Sequence, residues 1–243
     1  MMRTLAIGDI HGGCRALTQV LERAEITPND KLIFLGDYVD GWSQSAQVID
    51  YLIELSTRNK CIFIKGNHDV WCEQWLAEGN VNDVWYVHGG KETIESYEGY
   101  SKARKLEHLD FFETMPLYHL DDENRLFIHA GFTSMHGVQK EIHREAFYYD
   151  RTLWEMALTL DKRIKRDSEL FPNRLKHYKE IYIGHTPTTR YHKYEPMQAA
   201  NVWNIDTGAA FTGKLSAIDI NSKKVFQSNT LMHLYPDEMG RNK

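Results

Sequence analysis

Five short clusters of carboxylate, amide and imidazole residues punctuate the chain. In order they are Asp9 with His11, Asp37 with Asp40, Asn67 with His68 and Asp69, then His129, then His185. None contains a cysteine. Oxygen and imidazole donors without thiolate form a hard-to-intermediate set. Such a set suits Mn²⁺, Fe or Zn²⁺ and is ill suited to a Cys-rich structural zinc site. About six ligands are too many for one open catalytic ion. They suit two ions sharing a bridging carboxylate, which can hold a hydroxide and stabilise an in-line displacement at phosphorus.

Each cluster follows a short apolar run: Thr4–Ile7, Leu32–Leu35, Cys61–Ile64, Leu126–Ile128 and Ile181–Ile183. Between the first two runs, Leu17, Val20, Leu21 and Ala24 recur at helical spacing. Between the second and third, Val48, Ile49, Leu52 and Ile53 do the same. The resulting βαβαβ pattern predicts right-handed crossovers and a mostly parallel sheet. Ligands of open α/β sheets bind beyond the carboxyl ends of the strands, where these clusters would converge. Glycines adjoin them (Gly8, Gly36, Gly66, Gly131, Gly184), as sharp exits and close backbone approach require.

The rest of the chain reads as support. Residues 71–116 are mostly helical, and 141–172 are charged and helix-rich. Later strands are expected at Val202–Ile205, Leu215–Ile218 and Lys224–Phe226. The economical organisation is one α/β domain over 1–235 with helical insertions at about 71–116 and 141–172 and a loose polar tail at 236–243. A net charge of -5 argues against nucleic acid as the partner. No apolar run is long enough to span a membrane. Three scattered cysteines, Cys14, Cys61 and Cys72, read as reduced thiols filling small core spaces in a cytoplasmic protein.

The motifs Gly8-Asp9-Ile10-His11-Gly12, Gly36-Asp37-Tyr38-Val39-Asp40-Gly41, Gly66-Asn67-His68-Asp69, His129-Ala130-Gly131 and Gly184-His185-Thr186 occur in that order. Together they resemble the calcineurin-like metallophosphoesterase superfamily. Within it they are similar to the PPP-type phosphatases of bacteria and phages, the group of lambda phage phosphatase and symmetrical diadenosine tetraphosphate hydrolase. The resemblance covers roughly residues 3–220, and the stretch Trp85–Tyr97 shares it. It implies a four-layer α/β/β/α metallophosphatase sandwich with a helical insertion. It also implies two divalent ions, manganese first, with iron or zinc as alternatives. Asp9 and His11 would bind the first metal, Asp37 would bridge, and Asn67, His129 and His185 would complete the second. His68 would be the general acid, oriented by Asp40. A neighbouring carboxylate is expected to favour the protonated imidazole.

The sequence departs from the family pattern beside these residues. Gly41 and Lys65 stand where the family usually has arginine, and the third motif ends in Asp69. Arg151 is therefore a candidate phosphate-binding residue, with Lys65 a weaker one, since lysine offers a point charge and not a planar fork. Asp69 is expected to shape the turn or cap the following helix. Trp42 and Trp71 flank the second and third motifs, either as packing or as an aromatic rim for a base. His88 and His119 merit attention only if they lie near the metals.

The implied activity is hydrolysis of a phosphomonoester by direct attack of a metal-bridging hydroxide. A serine/threonine protein phosphatase acting on a phosphorylated protein or peptide is the first expectation. A hydrolase of dinucleoside polyphosphates or another small phosphoester is the alternative. A metal-bearing phosphate-binding module with little turnover is a third reading. The sequence leaves the oligomeric state open.

Overall fold

Along β1 (Thr4–Ile7) and β2 (Lys31–Phe34) successive side chains enter two different cores. Leu5, Ile7, Leu32 and Phe34 face one side, and Ala6 and Ile33 face the other. That period of two, with both faces apolar, marks strands covered on both sides. The computed structural model describes residues 3–242. Met1, Met2 and Lys243, at the ends of the expected domain and tail, lie outside the described residues.

The remaining strands are β3 (Lys60–Phe63), β4 (Tyr118–Leu120), β5 (Leu126–Ile128), β6 (Ile181–Ile183), β7 (Met197–Ala199), β8 (Val202–Asn204), β9 (Lys214–Asp219) and β10 (Val225–Thr230). They form two five-stranded sheets, ordered β10-β9-β1-β2-β3 and β4-β5-β6-β8-β7. In the first, β1, β2 and β3 pair in parallel and β9 and β10 add antiparallel. In the second, β5, β6 and β8 are parallel, with antiparallel β4 and β7 at the edges. The sheets meet through Ala6, Ile33, Leu35, Ile64, Phe127, Tyr182 and Ile218. Phe127 and Tyr182 stack there at 4.9 Å.

Helices cover the outer faces and complete the four-layer sandwich. On the first sheet, α1 (Cys14–Arg23) buries Ala16, Leu17, Val20 and Leu21. Each such leucine or valine contributes about 1.5–3 kcal/mol. Beside it lies α2 (Ser45–Ser56), and α3 (Asn67–Glu78) starts where β3 ends. The expected helical stretch after Trp71 comprises the rest of α3, then α4 (Asp83–Trp85), α5 (Lys91–Ser96) and α6 (Lys102–Glu113). The three cysteines are unbridged, Cys72 buried and the others half-buried.

Two expectations need correction. The 141–172 region holds only two short helices, α7 (Ala146–Tyr149) and α8 (Thr152–Thr159), and runs as turns beyond them. Its dense charges at Asp161–Arg163 and Lys165–Asp167 leave no apolar stripe to bury. The tail, expected to be loose, is packed. The Glu238 carboxylate accepts hydrogen bonds from the Ser43 backbone N–H (2.9 Å) and hydroxyl (2.7 Å). The Arg241 N–H donates to the Ala210 carbonyl (2.9 Å). Gly240 is buried against Trp42.

Candidate active site

The loops leaving β1 and β2 carry Asp9, His11, Asp37 and Asp40. Asn67 opens α3, and β5 and β6 deliver His129 and His185 from the second sheet. All are buried. Asp37 lies at the centre. Its Oδ2 is 3.6 Å from His11 Nε2 and 3.3 Å from His129 Nε2. Asn67 Oδ1 stands 3.3 Å from that same His129 nitrogen, and Asp9 Oδ2 stands 3.9 Å from His11 Nε2. Donor atoms of His11, Asp37 and His68 lie within 4.8 Å of one another, as do those of Asp37, His129 and His185. Asp37 is common to both groups, the position a bridging carboxylate needs.

The ring orientations are set from behind. His11 Nδ1 lies 3.0 Å from the Asp40 carbonyl and His129 Nδ1 2.7 Å from the Leu35 carbonyl. Each Nδ1–H donates to its carbonyl, which leaves the Nε2 lone pair for a cation. Two further donors, Asp9 Oδ1 and His185 Nε2, are buried with no hydrogen-bond partner. Buried polar atoms are rarely left orphaned. Orphaned carboxylate and imidazole atoms facing a cluster of ligand type fit divalent cations. The close packing requires glycine at two places. A Cβ on Gly184 would lie 2.0 Å from Asp9 Oδ1, and one on Gly66 2.2 Å from Asp37 Oδ1.

Electrostatics agree with a site built for cations. Burial, then the Asp206 charge, push Asp9 well above the usual carboxylate range. Burial opposes charge on His129 too, but the Asp37 carboxylate outweighs it and raises His129 to about 10. In return His129 holds Asp37 well below the usual range, against its burial. A divalent cation would take the role of that proton.

Beside this cluster His68 Nδ1 meets Asp40 Oδ2 at 2.6 Å. Asp40 also accepts hydrogen bonds from Trp85 Nε1–H (2.7 Å) and the Thr93 hydroxyl (2.6 Å). The expectation that Asp40 drives His68 toward imidazolium needs correction. Burial dominates both groups, pushing Asp40 up to about 8 and His68 down to about 3. Burial thus favours the neutral form of each group, with one proton held across their hydrogen bond. With Nδ1 engaged by Asp40, Nε2 is the nitrogen left for the cleft.

Asp69 binds no ligand set. Its carboxylate accepts N–H bonds from Gly66 (2.8 Å), Asp37 (2.8 Å) and Tyr38 (2.9 Å). It thus caps α3, whose third residue it is, and ties the second motif to the third.

Residues 2–209 match the family described as calcineurin-like phosphoesterase. The chain belongs to this family. It is 32% identical to the asymmetrical bis(5'-nucleosyl)-tetraphosphatase PrpE of Anoxybacillus flavithermus, over 87% of this chain and 88% of that one. The corresponding protein of Oceanobacillus iheyensis is 28% identical over 92% and 90%. Among solved structures, a serine/threonine phosphatase of Saccharomyces cerevisiae superposes with a TM-score of 0.64 at 16% identity, covering 100% of this chain and 84% of that one. A metallophosphoesterase from Sphaerobacter thermophilus gives 0.55 at 16%, covering 97% and 95%. These two likenesses show the fold.

This calcineurin-like phosphoesterase is a metal-dependent hydrolase of phosphoesters, and its cleft, about 210 Å³, is lined by His11, Asp37, Asn67, His68 and His185. Arg151 lines it, half-buried, whereas Lys65 does not. The Lys65 ammonium is instead paired with Glu73. Trp42 is not a rim residue. It is fully buried, donates Nε1–H to the Ala209 carbonyl (2.7 Å) and stacks on Tyr235. Trp71 does line the cleft, edge-on to His68 at 5.0 Å. His88 reaches the lining, while His119 pairs with Lys31 near the start of β2. Sequence reasoning missed Asp206 and Arg241, both in the lining. It also missed Trp85 and Thr93 as partners of Asp40, although the likeness of Trp85–Tyr97 to family members pointed at their segment. Among the described residues no helix is long and apolar enough to cross a membrane.

Proposed function

We propose that this phosphoesterase hydrolyses dinucleoside polyphosphates of the diadenosine tetraphosphate kind and splits them asymmetrically. The observation that carries this reading is the 32% identity, across 87% of the chain, with an enzyme described as an asymmetrical bis(5'-nucleosyl)-tetraphosphatase. The first expectation, a serine/threonine protein phosphatase, has a 16% identical structural neighbour behind it, which speaks for fold alone.

Asp9, His11, Asp37, Asn67, His129 and His185 would hold two divalent cations. Bound there, such ions supply Lewis acidity, activating water and offsetting phosphate charge. The protein's own part is proton management and positioning. His68 Nε2–H donates to the oxygen that leaves phosphorus. The proton between Nδ1 and Asp40 Oδ2, 2.6 Å apart, then settles on Nδ1, so the ring stays neutral. Asp40 takes up negative charge as this happens, and the Trp85 N–H and Thr93 hydroxyl stabilise it. Arg151 contacts phosphate, and Trp71 gives the cleft an aromatic wall on which a base can lie. One water is consumed, and a nucleoside triphosphate and monophosphate result.

The test is purified full-length protein with Mn²⁺, offered diadenosine tetraphosphate, a phosphoserine peptide and p-nitrophenyl phosphate, with products separated by anion exchange. The expected result is the highest kcat/KM on the dinucleotide, with ATP and AMP as products. A higher value on the phosphopeptide, or ADP as sole product, would overturn the reading.

A further inference from the structure

Arg241 has no place in the reaction as described so far, yet it lines the cleft together with His11, Asp37 and Arg151. It comes from the C-terminal segment, and three contacts fix it there. The Glu238 carboxylate is gripped by the Ser43 N–H and hydroxyl, Gly240 sits against the Trp42 ring, and the Arg241 N–H binds the Ala210 carbonyl. Its stem passes over Gly41. A Cβ on Gly41 would meet Arg241 Cγ at 3.1 Å and Cδ at 3.5 Å. The space a side chain would need next to Asp40 is thus filled from the far end of the chain.

The guanidinium stacks over Phe211, 5.4 Å from the ring centroid. Its Nε is buried without a hydrogen-bond partner, and no carboxylate pairs with it among the described residues. Arg174 Nε is likewise without a partner, but the guanidinium of Arg174 is paired with Asp150, as that of Arg125 is with Asp121. Arg151, in the same cleft, carries a like charge that Arg241 repels. Asp206 feels both charges, but no carboxylate lies within ion-pair distance of either guanidinium among the described residues, and two such forks turned to one cleft beside a phosphoester site suit an anion with several oxygens.

We infer that Arg241 is a substrate-binding residue that grips phosphate, so that the segment from Glu238 to Arg241 forms part of the active site. This rests on the site's acting on phosphoesters, and it extends the proposed polyphosphate substrate by supplying, with Arg151, a second contact along the chain of phosphates.

The test uses full-length protein loaded with Mn²⁺ and orthophosphate as the probe, with binding followed by calorimetry and metal content by elemental analysis. Arg241→Met keeps the stem over Gly41 and removes the fork. It should weaken phosphate binding roughly 10- to 100-fold, the worth of a charged hydrogen-bonding pair, with metal content and Tm unchanged. Arg241→Lys should recover part of the loss. Ser43→Ala, which loosens the segment without touching the cleft, should weaken binding by a smaller factor. Unchanged phosphate affinity in a folded, metal-replete Arg241→Met, or no affinity in the parent protein, overturns the inference. If Arg241→Met fails to fold, unchanged affinity in Ser43→Ala does so. Failure of the parent to cleave diadenosine tetraphosphate, with phosphate binding still dependent on Arg241, refutes the proposed substrate and leaves this inference standing.

Discussion

Asp69→Asn should damage metal binding without touching a metal ligand. The Asp69 carboxylate is fully buried and accepts three backbone N–H bonds, from Gly66 and Asp37 on Oδ2 and from Tyr38 on Oδ1. The asparagine oxygen can replace only one of those two atoms. If it serves Gly66 and Asp37, the new NH₂ faces the Tyr38 N–H, donor against donor, at 2.9 Å. Burial raises Asp69 to about 7, so the bond then lost is to a partly ionised carboxyl, at about 1–3 kcal/mol, and Tyr38 is left with a buried unpaired N–H, at about 1–3 kcal/mol. These costs overlap, and about 2–4 kcal/mol of destabilisation is expected. The N–H of Asp37 belongs to the same network, so the central carboxylate loses its fixed position. Loss of such supporting contacts typically lowers metal affinity about 10- to 100-fold. Urea unfolding at pH 7 in the presence of chelator measures the first effect, and Mn²⁺ titration of the folded variant measures the second. A variant within 0.5 kcal/mol of the parent, with unaltered Mn²⁺ affinity, would refute the account of Asp69 as the tie between the motifs.

Other substitutions probe separate links. His68→Asn should lower kcat by about 10²- to 10⁴-fold while both metals remain bound; simultaneous loss of metal would mean that His68 serves as a ligand instead. Trp71→Ala should raise KM for diadenosine tetraphosphate far more than for p-nitrophenyl phosphate, and equal effects on both would remove the aromatic wall from the scheme. Trp42→Ala should destabilise the fold by about 3–5 kcal/mol with no such selectivity, as a thermal melt beside the same two assays would show. Hydrogen bonds from Arg3 hold Asp30 down to about 2. Against an unfolded value near 3.8, that depression contributes about 2 kcal/mol above pH 4, lost as pH falls through 2. Asp30→Asn should therefore be less stable at pH 7, with the gap narrowing between pH 4 and pH 2; a pH-independent gap in urea titrations would contradict this.

The clusters were legible because each combines a strand signal with a nearby glycine and a side chain of ligand type. Thr4–Ile7, Leu126–Ile128 and Ile181–Ile183 are strands over those same residues. The strands that escaped notice, β4 and β7, have three residues each and lie at the edges of the second sheet. With three residues each and none of them fully buried, they are too short to show an apolar alternation. Lys65 illustrates a different limit. Its neighbour Glu73 lies eight positions on, and only the turn of α3 brings the two charges together. Arg241 was illegible for a third reason. A polar stretch with scattered charges reads as solvated, and nothing local shows that Glu238 has a waiting donor pair on Ser43. His68 illustrates a fourth, because the balance between burial and a carboxylate partner depends on how completely water is excluded. Sequence reveals the partner and not the exclusion.

The backbone explains why these residue types stand at these positions. His11, Asp37, Asp40 and His185 all adopt left-handed conformations, with φ of 52°, 54°, 75° and 66°. Such a conformation costs a non-glycine residue about 1–3 kcal/mol and persists only where the surroundings over-determine it. Here each strained N–H donates across to a different segment of the chain. His11 donates to the Asp37 carbonyl (2.9 Å), Asp37 to Asp69 (2.8 Å), Asp40 to the Thr93 hydroxyl (3.0 Å) and His185 to Asp9 Oδ2 (3.0 Å). The last of these bonds joins the two sheets. Glycine would relieve the strain but bring no ligand. Aspartate and histidine are among the residues that best tolerate the left-handed region, and they also coordinate hard and intermediate cations. Two independent demands, one of geometry and one of chemistry, therefore select the same side chains. The bonds that hold the strained backbone in place also hold the proposed ligands within reach of one another.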